Sequence, residues 1–272
     1  MTAPSNAQQV QWYTAQLHAI GALAGAVFVD VGAQDGALSE ALLPAIGTSG
    51  ALVSIEPLRS NVRRIEARIA SVGADNWTVQ PVAISDHDGE LELRVAAFGD
   101  PAGDAEPAAV LWSSAVVGPR TPASARRVRV PCRRLRSAVP EATVVKLDIE
   151  GHEYDVLDDA LGELPGVRAW ALELHMLLDG SRPLQGVIGK LARAGFDCFA
   201  AGRQADDPSW RSLPIDASLG WNAIPWVRAR ASVAPDPLEP AGPRAAAARA
   251  HAGPAAGAVK SLHVLALRRG PR

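Results

Sequence analysis

The chain of 272 residues is 48% hydrophobic and 21% charged, an ordinary composition for a globular protein with one large α/β domain or two small ones. Its formal net charge of −2 provides no global field toward nucleic acid or anionic lipid, so we expect neither as a partner. Cys132 and Cys198 lack metal-ligand or redox spacing, and neither a signal-peptide pattern nor a membrane-spanning apolar run is present, so we expect a cytoplasmic protein.

The first part of the chain alternates between helical and strand patterns. Apolar side chains recur at helical intervals over 6–24, which predicts an amphipathic helix within an N-terminal segment, 1–25. The alternation then continues through strand 26–32, helix 37–47, strand 51–57, helix 60–73 and strand 77–85, with a glycine at the end of each of these two helices.

Residues 86–135 interrupt the alternation and predict an insertion. Segments 89–95 and 126–132 alternate like the two strands of a hairpin, with a Gly/Pro/Ala-rich loop between them. The earlier pattern resumes with strand 143–150, helix 152–164, strand 167–175, helix 183–195 and two closing strands within 196–202 and 221–229. Strands that alternate with helices predict an α/β fold whose mostly parallel sheet is covered on both faces.

The composition changes near residue 231, where Ala, Pro, Gly and Arg become dominant. We expect 231–272 to be a disordered tail, because most of it offers no apolar face to bury. The segment SLHVLAL (261–267) could add an edge strand to the sheet, but we favour a tail there as well.

The turn after the first strand, VDVGAQDG, indicates the kind of ligand that the sheet binds. Gly32 and Gly36 make the turn, but Gln34 stands where a dinucleotide-binding loop has the glycine that lets backbone amides approach a pyrophosphate. Asp30 and Asp35 flank the loop and would repel phosphate. The loop therefore favours a ligand that is cationic where it meets the protein, as the ammonium and sulfonium of S-adenosylmethionine are. We expect Asp30 to orient the amino group of this cofactor, directly or through water, or else to be a strand-end acid that binds backbone amides.

Acids at the ends of the second and third strands extend this prediction. Glu56 follows the second strand about twenty residues after Gly36, where an acid accepts hydrogen bonds from ribose hydroxyls. Ser85 and Asp86 end the third strand, where a polar group could meet the adenine edge, although the same segment also has the pattern of a turn. In the alternative interpretation the glycines only form a tight turn and Glu56 is a solvated strand end.

Several segments together resemble the FkbM family of S-adenosylmethionine-dependent methyltransferases: VFVDVGAQDG, SIEP, PVAISDHDGELEL and above all VVKLDIEGHEYDVL. The resemblance covers about 26–200. It implies a Rossmann-like class I methyltransferase fold with a mostly parallel seven-stranded sheet and an inserted hairpin before the fourth strand. It places the methyltransferase domain at 26–230 and implies O-methylation of sugar or polyketide hydroxyls. Gln34 departs from the asparagine that is usual in the family.

The motif K-x-D-x-E-G-x-E supplies candidate catalytic residues. Asp148, Glu150, His152 and His175 could each position or deprotonate an acceptor hydroxyl at the carboxyl ends of the fourth and fifth strands. The histidine at the end of the fifth strand has a pKa range suited to a base, or is structural. Lys146 is a further candidate catalytic residue, as an ammonium, although we favour a structural ion pair in which Lys146 is the buried partner of Asp148, Asp30 or Glu173.

Two further features leave alternatives open. Trp112, Ser113 and Ser114 in the insertion could form a wall of the acceptor site, or the tryptophan could pack on the core. Asp148, Glu150 and His175 could bind a divalent metal, but the sequence fixes no complete ligand set, so we expect no metal.

The sequence thus predicts an S-adenosylmethionine-dependent O-methyltransferase that acts on a hydroxyl of a sugar, glycan or natural product. A non-catalytic binding module with the same fold is the first alternative, and a nicotinamide-dependent oxidoreductase is a weaker one. The acceptor pocket is built from loops that carry no readable code, so neither the acceptor nor the oligomeric state follows from the sequence.

Overall fold

The computed structural model of the chain describes residues 17–18, 21–97, 111–115, 125–175, 184–201, 227–228 and 261–269. These ranges contain the helices α1 (Ala37–Ile46), α2 (Arg59–Val72), α3 (Leu135–Ala138), α4 (Glu153–Ala160) and α5 (Leu184–Arg193). All of them except the short helix α3 were predicted, in this order. The same ranges contain twelve strands: β1 (Val27–Val31), β2 (Ala51–Ile55), β3 (Trp77–Gln80), β4 (Ala83–Ser85), β5 (Gly89–Ala97), β6 (Leu111–Ser114), β7 (Arg126–Arg134), β8 (Val144–Leu147), β9 (Ala169–His175), β10 (Phe196–Ala201), β11 (Val227–Arg228) and β12 (Ser261–Arg268).

The main sheet has the strand order β11-β10-β12-β9-β8-β1-β2-β3. Strands β3, β2, β1, β8 and β9 pair in parallel, whereas β12 pairs antiparallel with both β9 and β10. The prediction of a mostly parallel sheet is confirmed. Seven strands make up its body, and the two-residue strand β11 adds an eighth at one edge.

Helices cover both faces of this sheet, as predicted. Helices α1 and α2 pack on one face, where Leu42 and Ile65 join a core that also contains Phe28 of β1. Helices α4 and α5 pack on the other face, where Leu157 and Leu191 contact a second core. The change of face between the helix after β1 and the helix after β8 makes these adjacent strands the switch point of the sheet.

The insertion forms a second sheet of four strands in the order β4-β7-β5-β6. Strands β5 and β7 are the predicted hairpin, paired antiparallel from Gly89 and Cys132 onward. The prediction of one continuous strand over 77–85 is wrong, because β3 stays in the main sheet and β4 pairs in parallel with β7. Pro81 lies between them, and proline cannot donate a hydrogen bond to a sheet.

The end of the chain corrects the prediction of a tail. Strand β12 lies inside the main sheet, between β9 and β10, and is neither an edge strand nor part of a tail. Its side chains explain this position, since Val264, Leu265 and Ala266 are buried. The rest of the predicted tail lies outside the described residues, as do most of the two predicted segments 6–24 and 221–229.

Two other boundaries differ from the prediction. The N-terminal helix does not continue to residue 24, because the chain turns at Gly21, where φ is 62°. Strand β8 ends at Leu147, three residues earlier than predicted, so Asp148 and Glu150 stand in a loop beyond the strand. No described helix is both long and apolar enough to cross a lipid bilayer.

Candidate active site

The predicted site residues gather beyond the carboxyl ends of β1, β2, β8 and β9. Parallel strands place these ends along one edge of the sheet, and ligands of doubly wound folds bind at that edge near the switch point. Asp30 lies near the end of β1, Lys146 lies near the end of β8, and His175 is the last residue of β9. Glu56 directly follows β2.

The glycine loop after β1 approaches the end of β8 so closely that only glycine fits at position 32. A Cβ atom on Gly32 would lie 1.9 Å from the carbonyl oxygen of Asp148, and φ at Gly32 is 79°. Gln34 also has a positive φ, of 54°. Gly36 precedes the first residue of α1 and has a left-handed backbone conformation.

Glu56 holds the glycine loop through backbone amides. Its Oε2 accepts a hydrogen bond from the amide of Gln34 at 3.1 Å, and its Oε1 accepts one from the amide of Leu58 at 2.9 Å. Burial raises the pKa of Glu56 to about 7, although these hydrogen bonds and the charge of Lys146 oppose the increase. Glu56 is therefore a buried carboxylate that shapes the loop, and the alternative of a solvated strand end is wrong.

Lys146 is the buried counter-ion of two carboxylates, as the sequence predicted. Its Nζ lies 3.4 Å from Asp30 Oδ1 and 3.3 Å from Asp148 Oδ2, and it donates a hydrogen bond to the carbonyl of Gly32. Burial alone would lower the pKa of Lys146, but the charges of Asp148, Asp30 and Glu173 outweigh it and raise the pKa. Lys146 thus ties the glycine loop to the acids beyond β8.

The position of Asp30 follows from the register of the sheet. Asp30 pairs with Lys146 of β8 on one side and with Ser54 of β2 on the other, so the three side chains form a row across one face. Asp30 is fully buried, and its Oδ1 has no hydrogen-bond donor although Lys146 lies 3.4 Å away.

A chain of hydroxyl groups that the sequence did not reveal completes the row. Ser39 of α1 donates to Asp30 Oδ2 at 2.7 Å, and Ser54 lies 2.8 Å from Ser39. Because the hydrogen of Ser39 is already used, Ser54 donates to Ser39, and Ser54 in turn accepts from the indole of Trp77 at 2.8 Å. Buried serines within apolar segments were the only signal for this network.

The acid of the loop that was expected to repel phosphate is compensated. Asp35 lies 2.9 Å from Arg68 of α2, and Arg68 also contacts Glu40 of α1. The repulsion of phosphate that was expected from Asp35 is therefore weakened by Arg68. Both cations at the loop, Arg68 and Lys146, are instead each matched by two carboxylates.

Asp148, Glu150 and His175 converge beyond β8 and β9. One ligand atom from each of the three side chains lies within 4.8 Å of the other two. His175 Nε2 is 3.3 Å from Glu150 Oε2 and 3.8 Å from Glu173 Oε1. The imidazole is almost fully buried, whereas the side chains of Asp148 and Glu150 are 25% and 22% exposed. The two carboxylates therefore form the accessible part of the cluster.

Glu153 holds this cluster together. It is the last acid of the motif, but no role was predicted for it from the sequence. It is fully buried at the start of α4, where a carboxylate favours the helix N-terminus. Its Oε1 accepts from the amide of Ile149 at 2.9 Å and lies 2.9 Å from His175 Nδ1, and both of its oxygens accept from Gly151. Glu150 has a positive φ of 57° within this loop.

The charge of His175 differs from the expectation of a base. Burial alone would lower its pKa, but the charge and hydrogen bond of Glu153, together with the charges of Asp148 and Glu150, raise the pKa to about 10. His175 is therefore an imidazolium at neutral pH when the cluster holds no other cation. In that state it has no lone pair with which to accept a proton.

Ser85 and Asp86 form a separate group beside the start of α4. The hydroxyl of Ser85 lies 3.1 Å from His152 Nε2 and 3.0 Å from Asp86 Oδ1, and His152 Nδ1 lies 3.1 Å from Asp155. Their strand belongs to the second sheet and not to the main sheet. Their predicted contact with adenine stays a prediction, and His152 is directed toward Ser85. The side chain of Trp112 lies outside the described residues.

The sequence matches the model of a known protein family. The model of the FkbM methyltransferase domain matches residues 30–198, which is more than half of the chain and includes the glycine loop, Glu56 and the motif after β8. Among curated proteins, no match to the sequence is found.

Two solved structures with a similar fold have low sequence identity to this chain. An S-adenosylmethionine-dependent O-methyltransferase from Thermotoga maritima is 12% identical with a TM-score of 0.46, and the match covers 100% of this chain and 69% of that chain. A magnesium protoporphyrin IX methyltransferase from Synechocystis with bound S-adenosylmethionine is 13% identical with a TM-score of 0.44, and the match covers 99% of this chain and 87% of that chain.

Proposed function

Because the chain belongs to the FkbM methyltransferase family, we propose that it is an S-adenosylmethionine-dependent O-methyltransferase for a hydroxyl of a sugar, glycan or natural product. The observation that carries the proposal is the pair of accessible carboxylates, Asp148 and Glu150, beyond β8 and beside the glycine loop. Membership of a methyltransferase family removes the nicotinamide-dependent oxidoreductase as an alternative.

The residues at the glycine loop fit S-adenosylmethionine. Asp30 Oδ1 is a buried carboxylate oxygen without a hydrogen-bond donor, and Arg68 and Lys146 are each matched by two carboxylates. A pyrophosphate needs positive charge or unoccupied amides, and two amides next to this loop already bind Glu56. A ligand with a net positive charge suits such a loop better.

Specific residues would hold the cofactor when it is bound. Gly32, Gln34 and Gly36 form the loop that faces it, and Asp30 acts on this loop through Lys146 and the Gly32 carbonyl. Glu56 accepts hydrogen bonds from the amides of Gln34 and Leu58 and from the side chain of Asn61, and its remaining lone pair can accept from a ribose hydroxyl. Ser85 and Asp86 are proposed for the adenine edge. The cofactor supplies a methyl group activated on a sulfonium.

Asp148 and Glu150 bind and orient the acceptor hydroxyl. Methyl transfer is an in-line displacement, so the protein chiefly aligns the nucleophile and takes up its proton. The carboxylates are the proton acceptors, because His175 carries a proton already. The imidazolium, 3.3 Å from Glu150, and Lys146, 3.3 Å from Asp148, then hold the two carboxylates in place.

The cysteines support a reducing, cytoplasmic setting as part of this proposal. Cys132 and Cys198 are both buried free thiols. Disulfides are typical of oxidising compartments, and these two side chains form none.

Calorimetric titration of S-adenosylmethionine into the purified full chain tests the cofactor. We expect binding by the wild type and an affinity about 10- to 100-fold lower for Glu56→Gln, the effect of losing hydrogen bonds to a charged group. Glu66→Gln, an exposed acid on α2, is the matched control and should bind as the wild type does. Absence of binding by the wild type, or equal binding by Glu56→Gln, would contradict the assignment.

Incubation with methyl-labelled cofactor and a panel of glycan and natural-product hydroxyls, followed by mass spectrometry, tests catalysis. We expect label on an acceptor oxygen and its loss in the double variant Asp148→Asn/Glu150→Gln. Binding of the cofactor without transfer to any member of the panel would instead support the non-catalytic module.

A further inference from the structure

We propose that Asp148, Glu150 and His175 bind a divalent cation, such as Mn²⁺ or Mg²⁺, at the edge of the sheet beyond β8 and β9. The inference depends on the proposed function only for the use of the cation, since the binding itself can be measured without cofactor or acceptor. From the sequence alone we expect no metal, because it fixes no complete ligand set. The fold brings two carboxylates and one imidazole to one point.

The geometry of the three side chains suits one ion. Ligand atoms about 2.1 Å from a small divalent cation lie roughly 3 Å apart when adjacent and about 4.2 Å apart when opposite. His175 Nε2 and Glu150 Oε2 are 3.3 Å apart, as neighbouring ligands are, and all three atoms lie within 4.8 Å of one another. A small movement of the two partly exposed carboxylates toward the ion would shorten these separations to the distances expected between metal ligands.

The surroundings of His175 have the form that metal-binding histidines use. Such histidines donate one ring N–H to a carboxylate, which fixes the ring and presents the other nitrogen to the metal. Glu153, fully buried, lies 2.9 Å from His175 Nδ1, so Nε2 is the nitrogen that faces Glu150 and Asp148. Glu153 is itself held by the amides of Ile149 and Gly151 and cannot easily turn away.

The charges around the cluster also favour a cation. Five carboxylates, those of Asp30, Asp148, Glu150, Glu153 and Glu173, lie at this edge of the sheet, and Lys146 and His175 form ion pairs with members of this group. Carboxylate oxygens suit Mg²⁺ and Mn²⁺, and one imidazole shifts the preference toward Mn²⁺.

The bound cation would serve the acceptor. Its open positions, left by three protein ligands, can take the acceptor's hydroxyl oxygen and lower the pKa of that hydroxyl. Binding of the cation displaces the Nε2 proton of His175 to solvent. When the hydroxyl oxygen then attacks the methyl carbon of the cofactor, the bond between that carbon and sulfur breaks and its electron pair stays on sulfur. The hydroxyl proton passes to solvent water, so no further co-reactant is needed.

Electron paramagnetic resonance of free Mn²⁺, titrated with the chelator-treated full chain, tests the site. We expect the wild type to bind one Mn²⁺ per chain, and Glu150→Gln and His175→Gln to bind it at least about 10-fold more weakly. Glu153→Gln keeps all three ligands and should weaken binding by roughly 10- to 100-fold through its effect on His175. Glu141→Gln, an exposed acid before the amino end of β8, is the matched control.

Thermal unfolding with and without Mn²⁺ separates loss of ligands from loss of fold. The wild type and Glu141→Gln should unfold at a higher temperature with Mn²⁺, and a folded Glu150→Gln should not shift. No Mn²⁺ binding by the wild type, or equal binding by Glu150→Gln and Glu141→Gln, overturns the metal site. A chain that binds S-adenosylmethionine but not Mn²⁺ refutes the metal site alone, whereas the reverse result supports it and contradicts the proposed cofactor.

Discussion

Substitution of Gly32 by alanine tests the close approach between the glycine loop and the end of β8. A Cβ at this position would lie 1.9 Å from the carbonyl oxygen of Asp148 and 3.1 Å from its carbonyl carbon. Both atoms belong to the backbone, so no side chain can rotate to make room. The loop and the residue that carries Asp148 must move apart, and this also strains the contacts of Lys146 with both sides.

Two contributions make up the expected loss of stability in Gly32→Ala, and the same substitution at a second glycine, Gly73, separates them. A left-handed backbone costs alanine about 1–2 kcal/mol, and forced overpacking adds about 1–3 kcal/mol or more. Gly73, at the end of α2, has φ of 62° and open space around a would-be Cβ, whereas Gly32 has φ of 79° and the backbone clash. We therefore expect Gly73→Ala to lower the free energy of unfolding by about 1 kcal/mol and Gly32→Ala by about 3–5 kcal/mol.

Urea unfolding monitored by circular dichroism measures both variants, and calorimetry measures their cofactor affinity. Gly73→Ala should bind the cofactor as the wild type does, because a Cβ on Gly73 meets no other atom within 4 Å. Gly32→Ala should lose affinity as well as stability. Equal destabilisation by the two substitutions would refute the close approach, since only the backbone conformation would then be costly.

The remaining predictions concern a buried charge, a titration and a strand. Lys146→Met leaves Asp30 and Asp148 uncompensated and should cost about 3–5 kcal/mol in urea unfolding, and a cost below about 1 kcal/mol would contradict the buried ion pair. In the folded state Glu56 has a pKa of about 7, above its ordinary pKa of 4.5, so the folded protein binds this proton more tightly than the unfolded chain does. The free energy of unfolding should therefore fall by about 3 kcal/mol as the pH rises from 4.5 through 7. Glu56→Gln should remove this decrease, and an unchanged pH profile would show that Glu56 is not its source. Leu265→Pro removes a backbone amide of β12, which lies between β9 and β10, and should prevent cooperative thermal unfolding. An unchanged melting curve would contradict the position of β12 in the sheet and favour the predicted tail.

The order of the elements could be predicted because it depends on local patterns. Apolar spacing and terminal glycines placed α1 and α2 within one residue of their observed bounds. The same patterns put Asp30, Glu56 and Asp148 at the ends of strands, and parallel strands bring such ends to one edge of a sheet. The prediction of their proximity therefore needed only the class of fold.

The strand pairing of β12 could not be predicted in the same way. The sequence SLHVLAL has the pattern of a strand, but its place depends on β9 and β10, which are distant in sequence. Composition before the strand suggested a tail, and the strand pattern by itself did not show which strands it would join. The division of 77–85 between two sheets has the same origin, since β4 pairs with β7 across the insertion.

The sequence by itself determined which residues carry charge at the carboxyl edge and which loop accompanies them. Only the tertiary structure decided how those charges are used: Lys146 balances Asp30 and Asp148, Arg68 compensates Asp35, and Glu153 makes His175 a cation directed at Glu150. The reason is physical. Secondary structure follows from interactions within a few residues, whereas the protonation and partners of a buried group depend on every strand and helix that the fold packs around it.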